Sequence, residues 1–319
     1  MLLHPLSAMG LWLAASRRPR SVPAADLCVE EEPRPTGKTF AYLRATYPHI
    51  PAPLHILVCG GNRNATASFR FYGLPEKWRD VPFCEVGSSL FVPSPEATII
   101  SLGKYLDFHR LVYIAGTLCG SFRLDADSPT GLGKRRPLAS PQSIAECLEA
   151  FPNIEGSMHM RKALPYVHDG AESPPEVFLR MVLGLPYCYG GSAVPDLHAN
   201  WTLTSFGDKR GVPKEDDIRP DLVAMREGKM ASVEYDSDAT HLNRRQAARD
   251  EARRLAFEGI GGKVVSIRPD HLSNSSYMEK VAREVKKFLG VRIRVPSPKY
   301  AERRCELFAM DRSYGQFYV

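Results

Sequence analysis

A tight hairpin in the C-terminal half restricts the fold of this chain more than any other feature. Residues 221–226 (DLVAMR) and 229–236 (KMASVEYD) have the composition of strands, and Glu227-Gly228 between them is typical of a two-residue turn. Because side chains alternate across a strand, Glu234 and Asp236 point to the same face. The hairpin therefore predicts that Asp221, Glu234 and Asp236 converge at one place.

Three converging carboxylates need compensation, because like charges repel and burying them unpaired is costly. A divalent cation with a preference for oxygen ligands, Mg²⁺ or Mn²⁺, is the natural partner. Such a cation lowers the pKa of bound water and stabilises the charge of a phosphoryl transition state. The alternative is that these acids are solvated, or paired with Arg219, Arg226 or Arg253.

The segments around the hairpin predict alternating helices and strands. Ser173-Pro174-Pro175-Glu176 has the residues of a helix start, and residues 243–258 contain many helix formers and no proline. The predicted order is helix, three strands, helix, strand, helix. The elements are a helix from 173 to about 184, strands 200–206, 221–226 and 229–236, a helix 243–258, a strand 262–268 and a helix 276–289.

The sequences RPDLV, SVEYDSDATH, RDEARR and GGKVVSI carry a family resemblance over about residues 173–290. They resemble the very-short-patch-repair endonuclease-like branch of the PD-(D/E)XK nuclease superfamily. The resemblance implies a restriction-endonuclease-like αβββαβ core, with Asp221 as the "PD" aspartate and Glu234 as the acid of "(D/E)-x-K". Asp236 stands where the superfamily has lysine. The branch often carries such an acid-x-aspartate pair with a histidine downstream, which leaves the water-activating group unassigned.

The resemblance also implies roles for supporting residues. His241 would contact phosphate or carry a proton, and its alternative is an ordinary loop histidine. Glu176 would be the acid of the first helix, although its spacing from Ser173 favours a capping box. Arg253 would face DNA phosphate or form a surface ion pair, and the Tyr235 carbonyl would join the metal ligands.

The first 170 residues predict a smaller mixed α/β domain with a regulatory or DNA-binding role. Leu54–Val58, Phe91–Glu96 and the helix that follows resemble the N-terminal region of AbiEi-type, antitoxin-like bacterial proteins. We find no helix-turn-helix pattern there. The apolar residues 1–16 precede their arginines, which is the reverse of a secretory signal and predicts a short packed helix. The expected organisation is 1–170, a nuclease-like domain 171–294 and a charged tail 295–319.

Composition narrows the class of protein further. The seven cysteines form no Cys-x-x-Cys pair, which predicts a reduced, cytoplasmic protein without structural zinc. No apolar run approaches the roughly 18 residues of a membrane span, so no membrane partner is expected. The net charge of +6 is spread evenly over the two halves, which permits nucleic-acid binding without demonstrating it.

The three carboxylates and the resemblance to PD-(D/E)XK nucleases together imply a metal-dependent DNA endonuclease that uses Mg²⁺ or Mn²⁺. An enzyme acting on a special DNA structure would share this chemistry. The alternative from another class is a non-catalytic, antitoxin-like regulator with a degenerate nuclease fold. Such a regulator would bind DNA, a cognate toxin or another protein partner.

Overall fold

The chain folds into two compact units, Met1–Asp169 and Gly170–Met310, in a computed structural model. The structure describes residues 1–27, 35–59, 64–87, 90–199, 220–236, 251, 254–255, 257–293 and 297–310. Both units mix helices and strands, which confirms the predicted α/β class. The first unit is the longer of the two, so the expectation of a smaller N-terminal domain is wrong; its sheet has six strands against four in the second unit.

The first unit is built on a six-stranded mixed sheet with the strand order β2-β5-β6-β1-β3-β4. Strands β1 and β6 are parallel, as are β3 and β4, and the other neighbours are antiparallel. A separate antiparallel hairpin, β7–β8, follows later in the chain. The strands are β1 Leu2–Leu3, β2 Ser21–Pro23, β3 Leu54–Val58, β4 Phe69–Gly73, β5 Pro82–Glu85, β6 Phe91–Pro93, β7 Phe122–Leu124 and β8 Leu132–Lys134.

Helices of the first unit begin where the sequence has capping residues. The Ser94 side chain accepts from the Ala97 N–H and Pro95 occupies the first turn, as the pattern predicts. Residues 111–115, which pattern alone could not assign, lie inside a helix that begins after the cap Asp107. The helices are α1 Pro5–Ala14, α2 Gly37–Thr46, α3 Pro95–Leu102, α4 Phe108–Leu118, α5 Pro141–Ala150 and α6 Ser157–Ala163.

Helix α1 packs into the core of the first unit, as predicted for the apolar N-terminal segment. Trp12 is fully buried, and its indole N–H donates to the Pro93 carbonyl at 3.0 Å and to the Thr98 hydroxyl at 3.2 Å. The Arg135 guanidinium donates to the Trp12 carbonyl at 2.6 Å near the end of the helix. These hydrogen bonds satisfy buried polar groups that would otherwise oppose folding.

The second unit contains a four-stranded sheet with the order β12-β11-β10-β9. Strands β9, β10 and β11, which come first along the chain, form an antiparallel meander. Strand β12 follows after a crossover and pairs parallel to β11. The predicted strands 221–226, 229–236 and 262–268 are present within one residue at each end, whereas the predicted strand 200–206 lies outside the described residues. The strands are β9 Leu197–Ala199, β10 Leu222–Arg226, β11 Lys229–Tyr235 and β12 Lys263–Ile267.

Helices pack against this sheet, and they continue along the chain past residue 294, where the domain was expected to end. The helices are α7 Pro174–Gly184, α8 Pro269–Ser273, α9 Ser275–Phe288 and α10 Pro298–Ala309. Helix α10 corrects the expectation of a patternless tail from residue 295. Ser297-Pro298 starts it, and Tyr300 and Leu307 bury their side chains, so it packs as part of the second unit.

The crossover between β11 and β12 includes helical residues that pack on the sheet. The described residues between 251 and 259 are helical, as predicted for this segment. Phe257 is 1% exposed and forms a buried cluster with Val223 of β10 and Met230 of β11. This apolar contact holds the crossover helix against the strands that carry the predicted acids.

The turn of the β10–β11 hairpin has the geometry that its two residues predict. Glu227 and Gly228 have φ angles of 49° and 78°, both in the left-handed region, as a two-residue turn of this type requires. We expect Gly228→Ala to lower the free energy of unfolding by about 1 kcal/mol, because alanine is strained there. Denaturant unfolding checks this, with Gly37→Ala as control because Gly37 has no positive φ. Equal effects of the two substitutions would contradict it.

Two further sequence predictions concern the state of the cysteines and a membrane-spanning segment. Cys59 is disulfide-bonded, which corrects the expectation of an entirely reduced protein. The other described cysteines are free thiols: Cys84, Cys119, Cys147, Cys188 and Cys305. Among the described residues, no helix combines the length and the hydrophobicity needed to cross a membrane.

Candidate carboxylate site

Asp221 and Glu234 are joined across the open end of the β10–β11 hairpin. The register pairs Leu222 with Val233, which sets Asp221 opposite Glu234. The Asp221 N–H donates to Glu234 Oε2 at 3.2 Å, and the Tyr235 N–H donates to Asp221 Oδ2 at 2.6 Å. Each carboxylate is therefore held by a backbone group of the opposite strand, which fixes both relative to the sheet.

Ser232 adds a side-chain contact to Glu234. Its hydroxyl donates to Glu234 Oε1, and the residue is 1% exposed. Ser232 and Glu234 are two positions apart on β11, so both side chains lie on the same face of the sheet. With both oxygens accepting hydrogen bonds, the Glu234 carboxylate has a restricted orientation.

Glu176 brings a third carboxyl group from the first turn of α7. The Glu172 N–H donates to Glu176 Oε2 at 2.8 Å, and the Ser173 hydroxyl donates to Oε1 at 2.6 Å. Ser173 makes no side-chain cap hydrogen bond to the helix, so the predicted capping box is wrong. The serine hydroxyl is directed to the Glu176 carboxylate instead.

The electrostatics show that these acids act on one another. Burial, together with the charge of Glu234, raises the pKa of Asp221 to about 7, against the opposing effect of the hydrogen bond from Tyr235. Burial likewise raises the pKa of Glu176 to about 7, with the charge of Asp221 as the next cause. We name Glu176, Asp221 and Glu234 the carboxylate cluster.

The oxygen atoms of the carboxylate cluster are of the kind that a divalent cation prefers, but the cluster does not bring three of its ligands together. Within the described residues, no group of three or more His, Cys, Asp or Glu side chains is arranged to hold a metal ion, so Asp221, Glu234 and Asp236 do not form one. Asp221 and Glu234 still supply two hard oxygen donors side by side. Mg²⁺ is commonly held by one or two carboxylates, with substrate phosphate and water completing its shell.

The other site residues that the sequence predicts are Asp236, Tyr235, His241 and Arg253. Asp236 directly follows β11, is exposed, and its N–H donates to the Ile267 carbonyl at 2.9 Å. Tyr235 contributes its amide N–H to the site, holding Asp221. His241 and Arg253 lie outside the described residues. Their predicted roles stay predictions.

Arg254, in the helical segment between β11 and β12, forms ion pairs with acids of the same segment. It pairs with Glu251 at 2.6 Å and with Glu258 at 3.0 Å, and all three side chains are exposed. These ion pairs are typical of a solvated helix face at Arg254.

Two residues of the site were missed from the sequence. Ser232 could have been found, since it lies two residues before Glu234 and shares its strand face. Glu172 had no comparable signal in the sequence, because its contact with Glu176 depends on the backbone path before α7. Its charge helps to raise the pKa of Asp221 and of Glu176.

Comparison with protein-family models, curated proteins and solved structures found no match to this chain.

Proposed function

We propose that this protein hydrolyses phosphodiester bonds in DNA with the help of a divalent cation, Mg²⁺ or Mn²⁺. The observation that carries the proposal is the carboxylate cluster, in which the buried Glu176 and the half-buried Asp221 have pKa values raised to about 7 beside a third acid. Such clusters are rare in proteins without a positively charged group beside them, because ionising several carboxyl groups close together inside a protein is unfavourable.

Asp221 and Glu234 are the residues that would hold the cation. The Tyr235 N–H orients Asp221 by donating to Oδ2 at 2.6 Å, and the Ser232 hydroxyl orients Glu234 by donating to Oε1. When bound, a divalent cation supplies charge stabilisation for the phosphoryl transition state and lowers the pKa of bound water. The two carboxylates would fix its place relative to the sheet.

Glu176 adds a titratable group next to this pair. A carboxyl group with a pKa of about 7 can accept or release a proton near neutral pH, which suits general acid–base catalysis. Its carboxylate is held by hydrogen bonds from the Glu172 N–H and the Ser173 hydroxyl, and the charge of Asp221 helps to raise its pKa. We assign Glu176 a supporting role, with the water-activating group left to experiment.

The topology of the second unit supports the same proposal. Helix α7, the meander β9–β10–β11, a helical crossover and the parallel strand β12 follow in the order of the restriction-endonuclease-like αβββαβ core. The acids lie at the open end of the central hairpin, where the PD-(D/E)XK resemblance puts its metal ligands.

The first test is metal binding, which requires no knowledge of the DNA substrate. We expect calorimetric titration of the metal-free protein with Mn²⁺ to show binding that the double variant Asp221→Asn/Glu234→Gln loses. The titration must extend to millimolar Mn²⁺, since two carboxylates alone bind weakly without a substrate phosphate. Glu227→Gln, at the other end of the same hairpin, is the matched control and should bind as the wild type does. Identical isotherms for wild type and double variant would count against the nuclease proposal.

A non-catalytic regulator is the second candidate. It is favoured by the lack of a three-acid metal group among the described residues and by Asp236 in the position of the superfamily lysine. In that case the double variant should bind DNA, or a cognate toxin, as well as the wild type or better. Cleavage would then be undetectable with any divalent metal, and binding would need none.

A further inference from the structure

Strand β12 brings an exposed polar residue to the side of the carboxylate cluster. It pairs parallel to β11, and the register sets Ser266 beside Glu234. Neighbouring strands lie about 4.8 Å apart, and two residues that are paired in register point to the same face of the sheet. Ser266 is exposed. A group bound at Glu234 therefore has an accessible serine beside it.

Arg268 lies on the same face, just past the end of β12. The Asp236 N–H donates to the Ile267 carbonyl at 2.9 Å, so the pairing of the two strands continues and sets Arg268 beside Asp236. Arg268 has φ −93° and ψ 166°, which is extended backbone, so its side chain points to the same face as those of Ser266 and Glu234. One strand spacing and two residues along the strand put the Cα atoms of Arg268 and Glu234 about 8 Å apart. The long arginine side chain can cover that distance to a group bound at Glu234.

The Arg268 guanidinium is accessible and loosely paired. Its side chain is 54% exposed, and its Nε lies 3.9 Å from Asp270 Oδ1. Within the described ranges, this is the one ion pair of Arg268. An exposed pair at such a distance contributes little to stability. A phosphate group can therefore replace Asp270 as the partner of Arg268 at little cost to the fold.

The charges at this edge of the sheet leave a bound phosphate uncompensated without Arg268. The ionised carboxylates of Asp221 and Glu234 together neutralise one divalent cation. A DNA phosphodiester brings a further negative charge, and Asp236, which is exposed at the same edge, repels it. Arg268 supplies the opposite charge, and its guanidinium N–H groups match the geometry of phosphate oxygens.

We propose that Arg268 and Ser266 bind a phosphate group of the DNA next to the cation held by Asp221 and Glu234. In the proposed function, on which this assignment rests, the two carboxylates hold the cation while Arg268 and Ser266 hold the substrate. The Arg268 guanidinium donates to the non-bridging phosphate oxygens, and the Ser266 hydroxyl donates one further hydrogen bond.

The test is DNA binding by the full-length protein, measured by fluorescence anisotropy with a fluorescein-labelled duplex of mixed sequence. Millimolar Ca²⁺ takes the place of Mg²⁺, since it also uses carboxylate and phosphate oxygens as ligands. The Kd is measured over a series of sodium chloride concentrations, because each lost phosphate contact of a cationic side chain lowers the slope of log K against log salt by about 0.9.

In Ca²⁺, Arg268→Gln should weaken DNA binding by at least about fivefold and lower the salt slope by about one contact. Ser266→Ala should weaken binding by about two- to tenfold and leave the salt slope unchanged, because it removes a hydrogen bond without a charge. Both residues are exposed, so both variants should keep the melting temperature of the wild type. In EDTA the effect of Arg268→Gln should shrink, because the acids then repel the phosphate that Arg268 holds.

Arg283→Gln is the matched control. Arg283 is 58% exposed and lies 3.5 Å from Glu279 in a similarly loose pair. Its neighbour Glu284 pairs with Lys263, at the other end of β12. Arg283→Gln should therefore change neither the Kd nor the salt slope.

An unchanged Kd and salt slope for Arg268→Gln in Ca²⁺, an equal loss in Arg283→Gln, or an equally large effect of Arg268→Gln in EDTA would overturn the assignment. A wild type that fails to bind the duplex would overturn it too. Arg268→Gln should bind Mn²⁺ as the wild type does in the calorimetric titration, which separates the two proposals. If that Mn²⁺ site is present and DNA binding is unchanged in Arg268→Gln, only the roles of Arg268 and Ser266 are wrong.

Discussion

Glu234→Gln is expected to reduce the proposed metal-dependent DNA cleavage by at least about 100-fold, because a divalent cation contributes several kcal/mol to the stabilisation of a phosphoryl transition state. The amide keeps the size of the side chain and one acceptor oxygen for Ser232 or for the Asp221 N–H. It removes the negative charge that would hold the cation. The fold should therefore persist while activity is lost.

Cleavage should be followed with Mg²⁺ and with Mn²⁺ on linear, supercoiled, single-stranded and branched DNA. This panel also distinguishes a site-specific endonuclease from an enzyme acting on a special DNA structure. Glu227→Gln makes the same chemical change at the other end of the hairpin, where Glu227 is exposed beside Arg226. Cleavage by Glu234→Gln at the rate of this control would remove Glu234 from the mechanism.

Asp221→Asn is expected to stabilise the protein at alkaline pH by about 2–4 kcal/mol. In the folded protein the pKa of Asp221 is raised from 3.8 to about 7 by burial and by Glu234. The folded state therefore holds this proton more tightly than the unfolded state. That contribution to stability is complete below about pH 4 and is lost as the pH rises to 7. Asparagine stays neutral, so the variant avoids the loss.

Denaturant unfolding at pH 4 and pH 8 measures this directly. The two proteins should differ little at pH 4 and clearly at pH 8, with the wild type the less stable. Millimolar Mn²⁺ at pH 8 should raise the free energy of unfolding of the wild type and leave that of the variant nearly unchanged. A variant less stable than the wild type at pH 8 would show that the Asp221 carboxylate is compensated within the protein.

The hairpin was predictable from sequence because its signals are local. Glu227-Gly228 specifies the turn, the turn sets the register, and the register brings Asp221 opposite Glu234. Helix starts with Ser-Pro pairs, at Ser94 and Ser140, were predictable for the same reason, since the capping residue and the first turn are adjacent in sequence.

Helix α10 and the hydrogen bonds of Glu176 could not be predicted from the sequence, because they depend on contacts that local sequence patterns do not contain. Helix α10 has several charged residues, and its apolar positions have meaning only beside their partners, such as Phe308 against Phe178 at 5.7 Å between ring centres. Ser173 and Glu176 have capping-box spacing, but the Glu176 carboxylate accepts from the Glu172 N–H and from the Ser173 hydroxyl instead. Local pattern cannot report such competition between partners.

The hairpin register has an evolutionary consequence. Glu234 faces Asp221 because the number of residues between them is fixed by a two-residue turn and two uninterrupted strands. Inserting or deleting a single residue between Gly228 and Ser232 would move Glu234 to the opposite face of the sheet while leaving every side chain in the sequence. Descendants of this chain should therefore tolerate substitutions in the hairpin far better than changes in its length.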